Sequence, residues 1–294
     1  MNKRKPAPKF LKVKLLELKR LIQSVNHFGL FSPLIRYWIS SWVVYTFVYP
    51  ATRLFWQKEA SVVFCDSLLP IPSKSGFFSF PKVLNSKLIL KEKVDWDVFI
   101  EVYPRDVYSK AILKKGLTVV DIGAHVGLYT VLAAEKVGNT GKVIAVEPAP
   151  KNYQQLQENI LLNNFSNVTA VPMALSDHAG LEKLYIASLS ICNSLNPDVV
   201  SKEERANSYV EVKVGMLDDL LKSLNVRKID ILKIDAEGAE LQILKGAEET
   251  LKNNPDLKII AASYHYPNEI KEIKDFLSKR GFNPNISYCD IIRT

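Results

Sequence analysis

The sequence contains little cysteine and no metal-binding cysteine spacing. Its 294 residues include only Cys65, Cys192 and Cys289, which lie far apart in the chain. None of them stands in a C-x-x-C or cysteine/histidine pattern, so a zinc-clip domain and a disulfide-rich secreted domain are excluded. We expect three reduced thiols in a cytoplasmic protein.

Excess charge is also missing from most of the chain. The first twenty residues carry eight basic side chains against one acidic side chain, which accounts for nearly all of the net charge of +8. A protein that binds RNA or DNA spreads basic residues over a folded face, and the nearly neutral remainder offers none, so no nucleic-acid partner is expected. A secretory signal does not fit either, because the basic region is too long and Arg36 interrupts the apolar stretch that follows.

The basic residues begin an extension that we place at residues 1–95. Between Phe10 and Val25, apolar residues recur at steps of three and four, with basic residues between them, which is typical of a basic amphipathic helix. Next comes LFSPLIRYWISSWVVYTFVYP, which is rich in aromatic residues. The sequence therefore predicts a helical, aromatic-rich N-terminal extension, and from residue 60 the prolines favour short strands and turns.

Three arrangements of this extension are open. It could pack as a cap over the rest of the protein, or lie on an anionic membrane face through its basic and aromatic side chains, which would make the protein peripheral on the cytoplasmic side. A true span is less favoured. The sixteen uncharged residues between Arg36 and Arg53 would cover about 24 Å as a helix, against a hydrocarbon core of roughly 30 Å.

The body, residues 96–294, alternates apolar strand signals with helix signals. This pattern predicts an α/β fold with a parallel sheet and helices on both faces, which binds ligands beyond the carboxyl ends of its strands. A polar residue follows or ends each predicted strand, and all five are expected on one rim. The strands are 117–123, 141–148, 168–177, 229–238 and 257–267, and the residues are Asp121, Glu147, Asp177, Asp235 and His265.

Two further segments, 181–187 and 208–214, alternate like sheet strands. The long polar stretch between them is either a mobile loop over the rim or a solvated loop without a role.

The turn after the first strand, VVDIGAHVGLYT, indicates the kind of ligand. Gly123 and Gly127 allow a tight passage from strand to helix, but the G-x-G-x-x-G that cradles a dinucleotide pyrophosphate is missing. A carboxylate at Asp121 suits an ammonium group better than a pyrophosphate. Glu147 is placed to accept two hydrogen bonds from a ribose diol. S-adenosylmethionine has both a ribose and a cationic amino-acid end.

Several blocks resemble the FkbM family of class I S-adenosylmethionine-dependent methyltransferases. They are the run from Asp121 to Asn164, ALSD at 174–177, LDDLL at 217–221 and, most specifically, LKIDAEGAELQILKGA at 232–247. The resemblance covers roughly residues 100–292 and implies a Rossmann-like methyltransferase sheet. It also implies O-methylation of a small molecule, a sugar or a glycolipid.

The resemblance implies a role for each turn residue. Asp121, Gly123 and Gly127 would approach the methionine end of the cofactor, Glu147 would bind the ribose hydroxyls and Asp177 would lie near the adenine. His125 stands where the family commonly has asparagine. Both side chains can donate a hydrogen bond, so we expect His125 to belong to the cofactor site as well.

The candidate catalytic residues are His265, Asp235 and Glu237. We favour His265 as the general base because the ordinary pKa of histidine lies near working pH, with Asp235 orienting it, and Glu237 close enough to touch substrate. On this hypothesis His265→Ala keeps cofactor affinity and loses most of the turnover; a structural histidine is the alternative. Asp235 and Glu237 could also hold magnesium, but a third acidic ligand is not evident, so no metal is expected.

Two other functions remain open. One is a nicotinamide-dependent oxidoreductase, against which the missing glycine pattern and Asp121 argue. The other is a membrane-tethered binding module with a methyltransferase fold and no turnover.

Overall fold

The fold was analysed in a computed structural model. The structure describes residues 61–64, 71–72, 78–79, 86–105, 107–108, 112–200, 208–287 and 290–293. The basic and aromatic segment of the predicted extension lies outside these residues. No helix within the described ranges is long and apolar enough to cross a membrane.

A seven-stranded sheet forms the centre of the body. Its five parallel strands match the five segments predicted from apolar runs, although the third is shorter than expected. The strands are β5 Thr118–Ile122, β6 Lys142–Val146, β7 Val168–Val171, β11 Ile231–Ile234, β12 Lys258–Ala262, β13 Pro284–Ser287 and β14 Asp290–Arg293. Their order across the sheet is β13-β14-β12-β11-β5-β6-β7, and β14 runs antiparallel to both of its neighbours, β12 and β13.

Helices cover both faces of this sheet, as the sequence predicts. Val120 and Ile122 point into a core with α4 to α7, whereas Asp121 and Ala145 point toward α2 and α3 on the opposite face. The helices are α1 Lys93–Ile100, α2 Leu128–Val137, α3 Pro150–Leu162, α4 Leu217–Ser223, α5 Glu240–Lys245, α6 Glu248–Asn253 and α7 Glu269–Ser278. The described part of the chain therefore has the Rossmann-like α/β architecture that the sequence predicts.

The segment predicted as one third strand divides in two. After β7 the chain turns at Pro172 and forms β8 Ala174–Leu175, which leaves the main sheet. There it pairs in parallel with β10 Tyr209–Gly215, which pairs antiparallel with β9 Gly180–Tyr185. The two alternating segments predicted as strands are thus confirmed, in a separate three-stranded sheet.

Short strands also occur between residues 60 and 95, as predicted. They are β1 Ser61–Phe64, β2 Ile71–Pro72, β3 Phe78–Ser79 and β4 Lys87–Leu90. Of the described residues, 61, 71–72 and 78–79 belong to one compact unit, and 62–64 together with all those from residue 86 onward belong to a second. Consequently β4 and the start of α1, which precede the boundary expected at residue 95, belong to the unit that contains the main sheet.

Candidate functional site

A cleft lies beyond the carboxyl ends of β5, β6 and β11, where a parallel sheet of this kind binds its ligands. The residues that line it enclose about 550 Å³ of space, part of which is open solvent. The residues that the sequence assigned to the site and that line this cleft are Gly123, His125, Glu147, Asp235 and Glu237.

Gly123 is at this position because no side chain fits there. Its φ is +70°, and an added Cβ would lie 1.7 Å from the carbonyl oxygen of Asp235. The cleft floor is therefore bare backbone, as close approach of a ligand requires. Gly127 has a φ of +91° and an added Cβ would meet Leu156, but it does not line the cleft, so it shapes the turn.

Asp121 does not reach the cleft. Alternate residues of a strand point to opposite faces, and Asp121 points toward α2. It is fully buried, accepts a hydrogen bond of 2.6 Å from Thr130 and lies 3.1 Å from the ammonium of Lys233. That ammonium also donates to the carbonyl of Gly123 at 2.8 Å. Asp121 thus supports the glycine turn from beneath, and the expected direct approach to the cofactor is not what this geometry favours.

Lys233 has no place in the sequence-based prediction of the site. Burial alone would lower the pKa of this lysine, but attraction by Asp121 and Asp235 outweighs burial and the pKa is raised. The lysine is therefore a permanent cation under the turn.

Glu147 lies in the cleft as predicted. Its two oxygens accept hydrogen bonds from the backbone N–H groups of His125, at 2.8 Å, and Ala149, at 2.9 Å. Asn152 adds a longer contact at 3.5 Å. Burial raises the pKa of the Glu147 carboxyl to about 7, although these donors act to lower it. Each oxygen keeps a lone pair that can accept a ligand hydroxyl.

His125 lines the same part of the cleft. Its φ of +52° lies in the left-handed region, and its Nε2 lies 3.1 Å from the hydroxyl of Ser190. Burial lowers the pKa of His125, so the imidazole is neutral and can donate from one nitrogen.

Asp177 lies away from the cleft, contrary to the expectation that it would be on the rim. The departure of β8 from the main sheet carries it to the surface, where it pairs with His178 at 2.9 Å. Its hydrogen bond with His178 lowers the pKa of the Asp177 carboxyl. The wall that Asp177 was expected to form is apolar and consists of Met173, Ala174 and Leu175.

The three candidate catalytic residues come together from two loops. Asp235 and Glu237 follow β11, and His265 follows β12. The Nε2 atom of His265 lies 3.8 Å from Oδ1 of Asp235 and 3.5 Å from Oε1 of Glu237. Both carboxylates are 18% exposed, whereas the histidine side chain is 2% exposed. The carboxylates thus face the cleft and the imidazole lies behind them.

Two further carboxylates lie on the other side of the imidazole. Its Nδ1 atom is 3.5 Å from Oε2 of Glu240 and 3.5 Å from Oε2 of Glu269, and both glutamate side chains are fully buried. Each also accepts a backbone N–H at 2.7 Å, Glu240 from Ala236 and Glu269 from His265. The first of these bonds ties the loop after β11 to the start of α5.

This environment removes the reason for choosing His265 as the base. Burial by itself would lower the pKa of His265, but Glu237, Glu240 and Glu269 outweigh burial and hold the pKa far above its ordinary range. An imidazole held in its charged form cannot accept a proton from a substrate. In the described residues the cleft carboxylates, and not His265, are the groups free to do so.

Besides Lys233, sequence reasoning missed two residues that shape the site. Tyr108 donates a hydrogen bond of 2.6 Å to Oδ2 of Asp235, and nothing in its local sequence indicates this. Asn152 donates to the carbonyl of Ser190 at 3.0 Å, which ties the segment after β9 to the cleft. Asn152 could have been recognised from the sequence, because it is a polar residue on the buried face of a predicted helix.

Comparisons with known proteins identify the family. Residues 121–284 match the family model described as the methyltransferase FkbM domain. The methyltransferase sdnD of Sordaria araneosa is 32% identical over 178 residues, which cover 52% of this chain and 68% of that protein.

Two more distant relatives are informative. The 31-O-demethyl-FK506 methyltransferase FkbM of Streptomyces tacrolimicus is 24% identical, over 58% of this chain and 74% of its own length. The hexuronic acid methyltransferase AglP of Haloferax volcanii is 23% identical, over 57% of this chain and 64% of its own length. Because the family model covers more than half of the sequence, the chain belongs to the FkbM methyltransferase family.

Proposed function

We propose that the protein transfers the methyl group of S-adenosylmethionine to a hydroxyl oxygen of a small-molecule or glycan acceptor. One observation carries the proposal. The same cleft holds residues suited to bind the methyl donor, Gly123 and Glu147, and residues suited to bind the methyl acceptor, Asp235 and Glu237. S-adenosylmethionine is the cofactor of class I methyltransferases, and when bound it supplies a methyl group already activated on a sulfonium.

The residues present fit that cofactor. Glycine at 123 lets the turn after β5 pack directly against the carbonyl of Asp235, which brings the turn and Asp235 to the same cleft. Glu147 presents two acceptor oxygens suited to a ribose diol. The apolar wall of Met173 and Leu175 offers a surface against which a flat base can pack. Asp121 contributes indirectly, by fixing Lys233 under the turn.

The acceptor end requires a group that takes a proton. As the new O–CH₃ bond forms and the S–CH₃ bond breaks, the acceptor oxygen loses its hydrogen. Oδ1 of Asp235 is buried at the cleft and makes no hydrogen bond to the described residues, and Glu237 stands beside it. We assign proton acceptance to this carboxylate pair and a positioning role to His265. Alignment of the reactants accounts for most of the acceleration in such a displacement.

The acceptor class is supported by relatives. One is named for a 31-O-demethyl compound and another for hexuronic acid, so oxygen-rich acceptors occur in the family. A sugar hydroxyl also suits a cleft edge lined with carboxylates, since each carboxylate oxygen can accept a hydrogen bond from a hydroxyl.

The test is calorimetric titration of the full chain with S-adenosylhomocysteine and, separately, with NADH. We expect saturable binding of S-adenosylhomocysteine only. Glu147→Ala should abolish this binding, whereas Asp177→Ala should leave it unchanged because Asp177 lies outside the cleft. NADH binding alone would favour an oxidoreductase, and binding of neither ligand would favour a module without turnover.

Acceptors are then sought by mass spectrometry, as a one-methyl mass gain on sugars and hydroxylated small molecules. Asp235→Asn and Glu237→Gln should keep the affinity for S-adenosylhomocysteine and lose most of the turnover. Full turnover in both variants would overturn the assignment of proton acceptance.

A further inference from the structure

Asp235, Glu237 and His265 form a compact set of metal-ligating side chains at the cleft. One ligand atom from each residue lies within 4.8 Å of the others. The distances from Nε2 of His265 to the two carboxylate oxygens are 3.5 and 3.8 Å. Two ligands each about 2.1 Å from a common ion, at an angle of about 110° to 130°, are separated by this much.

The second observation is that buried polar atoms of these residues make no hydrogen bond within the described part of the chain. The His265 side chain is 2% exposed, yet neither ring nitrogen makes a hydrogen bond to any described residue. Oδ1 of Asp235 is buried and unpartnered as well. Native proteins leave few buried polar atoms unsatisfied, so atoms that point at one another across a gap indicate a missing ligand.

The surroundings also match those of a metal-bound histidine. Such a histidine usually donates its second ring N–H to a carboxylate, which fixes the tautomer and strengthens the ligand. Here Glu240 and Glu269 face Nδ1, each at 3.5 Å, and leave Nε2 directed at Asp235 and Glu237. Tyr108 binds the other oxygen of Asp235, Oδ2, so that Oδ1 alone is left for an ion.

We propose that Asp235, Glu237 and His265 bind one divalent cation at the edge of the cleft. A set of two carboxylates and one imidazole suits Mn²⁺ or Zn²⁺ better than Mg²⁺ or Ca²⁺, which prefer oxygen ligands alone. Three protein ligands leave coordination positions open, and the two carboxylates reach the cleft, so those positions face it. Without an ion the four surrounding carboxyls hold the imidazole protonated, so the cation binds Nε2 in place of its proton, which is released.

A role for the ion rests on the proposed function. A cation beside the acceptor would bind its oxygen and lower the pKa of the hydroxyl that is to be methylated. In this arrangement Oδ1 of Asp235 and Oε1 of Glu237 bind the ion, and the second oxygen of Glu237 accepts the proton of the hydroxyl. Binding of the ion itself does not depend on methyl transfer, and it is tested without methyl donor.

The experiment titrates Mn²⁺ into the full chain after chelator treatment, and follows the paramagnetic resonance signal of the free ion. We expect one saturable site per chain, from which Zn²⁺ displaces Mn²⁺. Glu237→Gln and Asp235→Asn preserve side-chain shape and should each weaken Mn²⁺ binding at least about tenfold. Because His265→Ala would leave buried carboxylates unpaired and could unfold the chain, the two isosteric variants carry the test.

The matched control is His178→Ala, at a surface histidine between Asp177 and Glu182. It should leave Mn²⁺ affinity unchanged. Absence of a saturable site, unchanged affinity in both carboxylate variants, or loss of binding in the control would each overturn the proposal.

The two proposals fail separately. Binding of S-adenosylhomocysteine is measured in the presence of a chelator, so that no metal ion is bound. Binding of Mn²⁺ is measured in the absence of S-adenosylhomocysteine. Metal binding without S-adenosylhomocysteine binding would support the cation site and overturn the methyltransferase, and the reverse result would do the opposite.

Discussion

At the scale of single residues, side-chain direction decides which strand-end acids serve the cleft. Glu147 lies just beyond β6, where the chain has left the sheet and can turn its carboxylate inward. Asp121 is still within β5, so the alternation of the strand sends it to the opposite face. Position in sequence predicts which end of the sheet a residue occupies, but a shift of one residue reverses the face.

The raised pKa of Glu147 predicts that binding of the methyl donor depends on pH. A ribose diol donates hydrogen bonds to the carboxylate form, and the free protein holds this group at a pKa of about 7. Affinity for S-adenosylhomocysteine should therefore rise between pH 6 and pH 8, by up to about tenfold. Calorimetry across this range measures the change, and Glu147→Gln should bind weakly with no such trend.

The same carboxyl affects folding stability in the opposite direction. Its pKa is about 7 in the folded protein and 4.5 ordinarily, so the folded state holds its proton more tightly. The resulting stabilisation is complete below pH 4.5 and is lost as the pH rises to about 7. Relative to Glu147→Gln, the wild-type protein should lose roughly 3 kcal/mol of unfolding free energy between pH 4 and pH 8. Parallel pH profiles of the two proteins would contradict the assignment.

At the scale of elements, helix α3 uses amide side chains to hold β4. Asn159 is fully buried, accepts from the N–H of Ile89 at 2.6 Å and donates to the carbonyls of Ile89 and Val126. Gln155 also donates to the carbonyl of Ile89, at 3.0 Å. The buried face of α3 is therefore partly polar: Leu156 is buried beside these amides, whereas Leu161 is 73% exposed.

Replacement of Asn159 by alanine should be strongly destabilising. It leaves the N–H of Ile89 and the carbonyl of Val126 without this partner, while Gln155 still binds the carbonyl of Ile89, so we expect a loss of about 2–3 kcal/mol in urea unfolding. Asn163 makes the same kind of bonds to Lys87 at an exposed position. Asn163→Ala should cost about 1 kcal/mol or less because water can replace the side chain. Equal losses would mean that burial of the amide is not the cause.

How far the sequence predicts elements depends on where their partners lie. The five parallel strands and helices α2 and α3 carry their own apolar periodicity, so they could be predicted locally. The pairing of β8 with β10, and the final hairpin of β13 and β14, depend on partners elsewhere in the fold. The same distinction holds for the site residues. Glu147 and Asp235 directly follow predicted strands, so they could be predicted locally. Glu240 and Glu269 reach His265 from two separate helices, so their contacts with it could not.

At the scale of the whole molecule, charge is segregated. Nearly all of the net charge of +8 lies in the first twenty residues, outside the part that the structure describes. Each basic residue near an anionic membrane contributes about 1 kcal/mol to binding. We therefore propose that this segment brings the protein to anionic lipid.

Sedimentation with phosphatidylserine vesicles tests the segment. Exchange of Lys12, Lys14, Lys19 and Arg20 for glutamine should reduce binding at least about tenfold at physiological salt. The affinity for S-adenosylhomocysteine should be the same in both proteins, since the cleft residues are unchanged. Equal sedimentation of the two proteins would exclude an electrostatic attachment through these residues.

The segment between β9 and β10 touches both halves of the cleft. Ser190 accepts a hydrogen bond from Asn152 beside Glu147, and Ser194 donates one of 2.5 Å to the carbonyl of Glu237. Yet its flanking strands belong to the small sheet and not to the one that carries the glycine turn. The segment between β9 and β10 can therefore change in length and sequence while the glycine turn and Glu147 keep their positions. One scaffold could thus supply the same methyl group to many different recipients.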